Sequence, residues 1–357
     1  MLKQNLGKIK KLNLRDVFNK EDKDLLFFIS SSYIDLRGHL FSIPSNINKP
    51  TLLRDEINDR VLLFYSNDLS NPPSNFEFYS INNYFYSSTK INYVKSGWGS
   101  INIMDAINYK PISSEIKFVI AGSLYDSSNT KKSCFIAFLK DDYEIKDKVT
   151  ISNIIETNCI IHNIKESQDL NIYGVAETQQ KSSALIFCIQ MNNNYNTLTY
   201  QYKIDQNLQL LSLVEITSNL FLSCGTFYQP NSIFHSYYVI FDKSLNLILE
   251  LEDLRYITSK ATKIIKYKSN VDLFISSGDC SNVGCVTALL ASSNALYILS
   301  STKIGIPASE ITSISIYHDR KIFITGKYSE TSSNGGTPIL AVKLIAGYIL
   351  ITDQNYK

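Results

Sequence analysis

The sequence predicts an all-β fold, a β-propeller of six or seven four-stranded blades with a repeat of about 50 residues. Three observations predict it. Strand formers dominate, with 23 Tyr and 18 Phe against 14 Gly and 8 Pro, and aromatic side chains suit a pleated, half-buried surface. A short apolar run ending in small residues recurs along the whole chain. Each recurrence is followed by further strand-like runs, separated by turns rich in Ser, Asn and Asp, whose side chains bond to local backbone.

The recurring run reads LLFFISSS from Leu25, VLLFYSND from Val61, KFVIAGSL from Lys117, LNIYGVAE from Leu170, LFLSCGTF from Leu220, LFISSGDC from Leu273 and IFITGKYS from Ile322. The steps lie near the length of one propeller blade, except the first, which is shorter. A second run follows each polar loop, as in CFIAFLKDD from Cys134, ALIFCIQMN from Ala184, YYVIFDKSL from Tyr237 and ILAVKLIAG from Ile339. A third follows (LTYQYKID, LILELED, LYILSSTK, YILITD), and a fourth precedes the next repeat (CIIHNIKES, ATKIIKYK, ITSISIYH). Four short strands per period make a meander, and near-continuous apolar runs are expected where neighbouring sheets cover both faces. Leu12 to Asn19 is expected to supply the missing first strand of the first blade. A pair of β-sandwiches would not hold this spacing, and a solenoid would show a shorter period.

The phrase IFITGKYSETSSNGGTPILAVKL, starting at Ile322, resembles the bacterial-type β-propeller repeats of the SBBP kind. There a strand ending in Thr-Gly, a polar loop and a strand ending in Ala-Lys recur in every blade. The stretches from Lys117 and Leu220 keep the outline, whereas those from Leu25 and Val61 lack the glycine. The resemblance covers about the last two-thirds of the chain and implies a propeller, with no catalytic residue attached.

Hydrophobic residues make up 44% of the 357, and charged residues 19%, enough core material to exclude a disordered chain. A formal net charge of +2 gives no reason to expect nucleic acid as a partner. No stretch reaches the ~18 apolar residues of a transmembrane helix. The opening MLKQNLGKIKKLNLR is basic, with Leu2, Leu6, Ile9 and Leu12 on one helical face. Residues 1–20 therefore read as a basic lead-in or targeting segment, and 21–357 as a single propeller domain. A cytoplasmic location is expected, with mitochondrial import as the alternative raised by this segment.

No catalytic or metal motif stands out. Cys134, Cys159, Cys188 and Cys224 sit alone in apolar runs and read as small core residues. Cys280 and Cys285 flank a turn-like Ser-Asn-Val-Gly, where a hairpin disulfide would form in an oxidising compartment. His162 and His318 fall late in strands that precede a repeat run, at similar blade positions, which would bring them to one rim. Asp141-Asp142 and Glu250-Asp253 read as solvated turn residues. Trp98, between Gly97 and Gly99, and the polar loop with Ser329 and Asn334 are the candidate interaction loops. The expectation is thus a non-catalytic scaffold, not an enzyme, without cofactors, binding protein partners through its loops and standing as a subunit of a larger complex. The alternative is a propeller-class enzyme, or a binder of a glycan or other small ligand, acting at the mouth of the central channel.

Overall fold

The recurrence found in the sequence is the second strand of each sheet in the computed structural model. The structure describes residues 34–36, 39–41, 51–55, 57–58, 60–65, 76–82, 88–93, 101–111, 115–125, 132–151, 159–178, 183–191, 197–202, 207–230, 233–268, 271–307, 309–317, 321–328 and 339–346. Four consecutive antiparallel strands make each of sheets I (51–93), II (101–151), III (159–202), IV (208–252) and V (259–307). Sheet VI (309–346) has three described strands, and Ile34–Leu36 pairs with His39–Phe41 as a hairpin. The sheets begin at Thr51, Ile101, Cys159, Leu208, Ser259 and Ser309, which reproduces the expected repeat. The strands expected near Leu12, Leu25 and at YILITD, and the lead-in at 1–20, lie outside the described residues.

Each sheet packs face to face on the next, and the first strands stand side by side as the innermost row. This is the propeller arrangement. The second and third strands are covered on both sides: Phe118–Tyr125 is buried from Phe118 through Leu124, and Ile172–Thr178 is buried throughout. Alternation divides each strand between two seams. Phe118 and Ile120 pack toward sheet I with Leu62 and Phe64, whereas Val119 and Ala121 pack toward sheet III with Ile161 and Phe187. Each fully buried Phe of this kind contributes roughly 1.5–3 kcal/mol. The outer strand Leu247–Glu252, with one face free, alternates between half-buried and exposed positions.

The inner strands share a device that the sequence hid. In sheets II to VI the first strand carries one extra residue opposite its partner: Met104, His162, Leu211, Thr262 and Thr312. Such a bulge bends the strand and sharpens its twist. The residue facing it on the second strand is Gly122, Gly225, Gly278 or Gly326, with Ala176 in sheet III. A Cβ at Gly122, Gly225 or Gly278 would run into the carbonyl oxygen of Asn102, Gln209 or Lys260. The recurring glycine is therefore a space for the bulge.

In sheets II to IV the residue after the bulge ties one sheet to the next. The Ile164 N–H donates to Asp105 Oδ2 at 2.9 Å, the Leu213 N–H to Asn163 Oδ1 at 2.8 Å, and the Ile264 N–H to Ser212 Oγ at 3.3 Å. Three residues further along, Glu166 accepts from the Lys110 N–H of sheet II and Glu215 from Ser167 Oγ of sheet III. Lys266 Nζ donates to the Ile216 carbonyl of sheet IV at 2.7 Å. Polar clasps thus run along the inner row at two heights.

A disulfide corrects the expectation that Cys134 and Cys159 stand alone. Cys134, in the third strand of sheet II, is bonded to Cys159, at the start of sheet III, with Cα atoms 4.8 Å apart. The separation of 25 residues hid the pair, because only the packing of one sheet on the next brings the strands together. Cys280 and Cys285 are bonded across a tight turn in which Ser281 and Asn282 take positive φ. Cys188 and Cys224 are free and buried, as core residues. Among the described residues no helix is long and apolar enough to cross a membrane.

Candidate functional site

First strands start at the end of the sheets where second strands finish, since each pair is antiparallel. The residue following the Gly or Ala that faces the bulge therefore lies at that end: Ser123, Glu177, Thr226 and Asp279 in sheets II to V. All four are buried, and all are polar. Their partners across the inner strand pair are Asn102, Ile160, Gln209 and Lys260.

Several chemically active side chains converge here. The bulge in sheet III turns His162 toward Glu177, with Nε2 3.3 Å from Oε2 and both side chains largely enclosed (7% and 12% exposed). The distance is that of an ion pair, but His162 Nε2 makes no hydrogen bond. In sheet IV the Tyr228 hydroxyl donates to Gln209 Oε1 at 3.2 Å. Burial pushes the Tyr228 phenol above its ordinary range, and the charges of Glu177, Glu310 and Asp279 push it the same way. Carboxylates from sheets III, VI and V thus act by their charge on a phenol of sheet IV. The Phe234 ring lies 6.2 Å from that of Tyr228, and Lys260 Nζ stands 5.0 Å over Phe234. Thr226 is fully buried, and its Oγ1 has no hydrogen-bond partner.

A second histidine flanks the site on the outer half of sheet IV. His235 Nδ1 is 2.7 Å from Glu252 Oε1, which also accepts from Gln229 Nε2 at 2.9 Å. Among the described residues no three His, Cys, Asp or Glu side chains group as a metal site. The set is suited to acid–base work and to hydrogen bonding of hydroxyl groups: carboxylates, an imidazole and a phenol, all at least partly buried.

Of the residues singled out in the sequence, His162 belongs to the site. The register places Thr312, not His318, at the equivalent position of sheet VI, so the two histidines are not blade equivalents; His318 lies outside the described residues. Trp98, Ser329 and Asn334 also lie outside them. Asp141 and Asp142 are exposed turn residues, as expected. Asp253 is not: it is 2% exposed and takes two hydrogen bonds from the Arg255 guanidinium, Nε at 2.7 Å and Nη2 at 2.8 Å. Sequence reasoning passed over Glu177, Tyr228, Asp279 and Glu310. The signal for the inner ring was a polar residue at a fixed place, straight after the small residue of the run, as in AE, GT and GD.

No protein-family model matches the chain, and no curated protein matches its sequence. Solved structures do match in fold. The NanB sialidase of Streptococcus pneumoniae is similar with a TM-score of 0.54 at 10% identity, covering 94% of this chain and 72% of that one. The Trypanosoma rangeli sialidase is similar with a TM-score of 0.52 at 8% identity, covering 90% of this chain and 58% of that one. The β-propeller domain of the Trilobed protease from Pyrococcus furiosus is similar with a TM-score of 0.47 at 10% identity, covering 84% and 82%.

These likenesses correct the expectation that the chain is not an enzyme. Both sialidases are enzymes built on this fold, and the inner end of the sheets here is furnished with titratable side chains rather than bare. At such identity the likeness shows the fold alone, and the sialidases' own reaction stays with them.

Proposed function

We propose that this chain is a β-propeller enzyme that binds a small hydroxylated ligand of the glycan class at the inner mouth and acts on it by carboxylate acid–base chemistry. The reading is carried by the enclosed His162–Glu177 pair, 3.3 Å apart, at the same end of the sheets as Tyr228 and Gln209. Glu310 and Asp279, of two further sheets, act on Tyr228 through their charge. Hydrolysis of a glycosidic bond needs two carboxyl groups across the substrate: one protonates the departing oxygen, the other takes a proton from the attacking water. Glu177, enclosed beside His162, suits the proton donor, and Glu310, partly exposed, suits the base. Gln209, partly exposed beside Tyr228, would accept a hydrogen bond from a sugar hydroxyl or donate one to it.

The proposed ring has six or seven blades, the seventh founded on the Ile34–Leu36 and His39–Phe41 hairpin. Its blade construction is proposed to follow the SBBP-type repeat, supported by the bulge glycines Gly122, Gly225 and Gly278. The test is hydrolysis of a panel of 4-nitrophenyl glycosides by the full chain. Glu177→Gln and Glu310→Gln should each lower kcat by about 10²-fold or more, with unchanged melting temperature. Turnover that survives both substitutions, or no binding and no turnover of any saccharide, overturns the reading.

A further inference from the structure

The connection from sheet IV to sheet V lies at the same end as the candidate site, since fourth strands finish and first strands start there. Its tip reads Leu254-Arg255-Tyr256-Ile257. Leu254 is 66% exposed and Ile257 78%, more than any other large apolar side chain among the described residues. Single exposed apolar residues are ordinary, but two on one four-residue tip form a surface for contact.

The tip is braced from both sides. The Asp253 N–H donates to the Ser236 carbonyl at 2.9 Å, and the Ser281 N–H donates to the Thr258 carbonyl at 2.7 Å. Asp253 holds the Arg255 guanidinium by two bonds, and Arg255 Nη2 donates again to Ser301 Oγ on the outer strand of sheet V at 2.6 Å. Leu254 and Ile257 are thus presented on a fixed frame, and little ordering is left for the moment of binding.

The charge around the tip has one sign. Arg255 and Lys303 approach the same Tyr256 ring, 5.8 and 5.3 Å from its centroid, and Lys260 lies over Phe234. Lys303 is exposed, and its ammonium pairs with no acid among the described residues. The sequence has no acid between Asp253 and Asp272, and Asp253 is buried. Ser281 and Asn282, exposed on the neighbouring turn, are uncharged. Such a surface complements an anionic one. Aliphatic side chains at a tip, beside cations and a tyrosine, match the boundary of a bilayer, where acyl chains meet charged headgroups.

We infer that this loop docks the protein on an anionic lipid surface, with Leu254 and Ile257 in the acyl boundary and Arg255 and Lys303 on the headgroups. The inference goes beyond the glycan reading and does not rest on it. Apolar burial and attraction to anionic lipid add, so each part should be separable by substitution. Docking by this loop would turn the end of the sheets that carries His162, Glu177 and Tyr228 toward the membrane.

The test is co-sedimentation of the full chain with two kinds of vesicle: phosphatidylcholine alone, and phosphatidylcholine with about one-third phosphatidylserine. The anionic vesicles should bind it at least ~10-fold more tightly, and the difference should shrink as salt is raised. Leu254→Ser with Ile257→Ser should weaken that binding at least ~10-fold. The melting temperature should not change, because both side chains already stand in water. Lys303→Gln should weaken binding about 3-fold to 5-fold on anionic vesicles only. Should the double variant fail to fold, Ile257→Ser alone must weaken binding at least ~3-fold. Equal binding to both vesicles, binding to neither, or binding untouched by the substitutions overturns the inference. Self-association in buffer that the double substitution abolishes, without any vesicle binding, overturns it as well and makes the loop a contact between copies. Glycoside turnover is read separately, and its failure leaves the docking loop standing.

Discussion

Asp105 of sheet II and Asn163 of sheet III hold the same place in successive inner strands, and the carboxylate of the first accepts a hydrogen bond from the carboxamide of the second. Asn163 in turn accepts from the Leu213 N–H, and Ser212 from the Ile264 N–H. One position thus clasps four sheets in sequence. It is also where a charge is hardest to keep, since burial raises the Asp105 carboxyl above its ordinary range despite Lys263 and the bonded N–H groups.

That shift sets a pH dependence. An acid whose value is raised on folding contributes stability in full below its unfolded value of about 4, and that contribution is lost as pH rises through the folded value. Asp105→Asn removes the titration. The melting temperature of the variant should fall less than that of the wild type between about pH 4 and pH 8. Identical slopes would remove Asp105 as their source.

The bulge glycines should tolerate nothing larger. Gly225→Ala places a methyl against the Gln209 carbonyl and should cost roughly 1–3 kcal/mol in urea unfolding. Sheet III keeps its bulge with Ala176 in that place, so Ala176→Gly should have the smaller effect of the two. The reverse order would show that the bulges do not depend on the missing Cβ.

Cys134 and Cys159 join two sheets. Replacing both with Ser should cost roughly 3 kcal/mol for a closed loop of this size. Alkylation of the denatured, unreduced protein should label Cys188 and Cys224 only, and labelling of all six cysteines would rule out both bonds.

Tyr143 links sheets I and II by donating to Asp55 Oδ2 at 2.5 Å. Its phenol is pushed up to about 12, by burial first and by that bond next. Tyr143→Phe leaves a fully buried carboxylate with one donor fewer and should cost about 1.5–3 kcal/mol. A loss below about 0.5 kcal/mol would mean that the Asp55 bonds to Ile57 and Asn58 suffice.

Much of the architecture was legible one residue at a time. A strand covered on both faces must be apolar at nearly every position, so Phe118–Leu124 and Ile172–Ala176 announced themselves as strands. Their spacing announced the repeat, because each sheet is one connected stretch of chain. The glycine of the repeat was visible as well, although its reason was not: it clears room for a carbonyl on a neighbouring strand.

What the sequence alone determined was therefore whatever depends on neighbours along the chain: strand periodicity, the meander and the repeat. The tertiary structure decided everything that compares one repeat with the next. Glu177, Tyr228, Asp279 and Glu310 are scattered along the chain, and each by itself reads as an ordinary polar residue at a strand end. They come within reach of one another's charge because the sheets pack face to face around one row of inner strands. Cys134 and Cys159 were invisible for the same reason, as was the clasp from Asp105 to Asn163. Side-chain contact across a seam depends on register and on the bulge, and neither leaves a mark within a single strand.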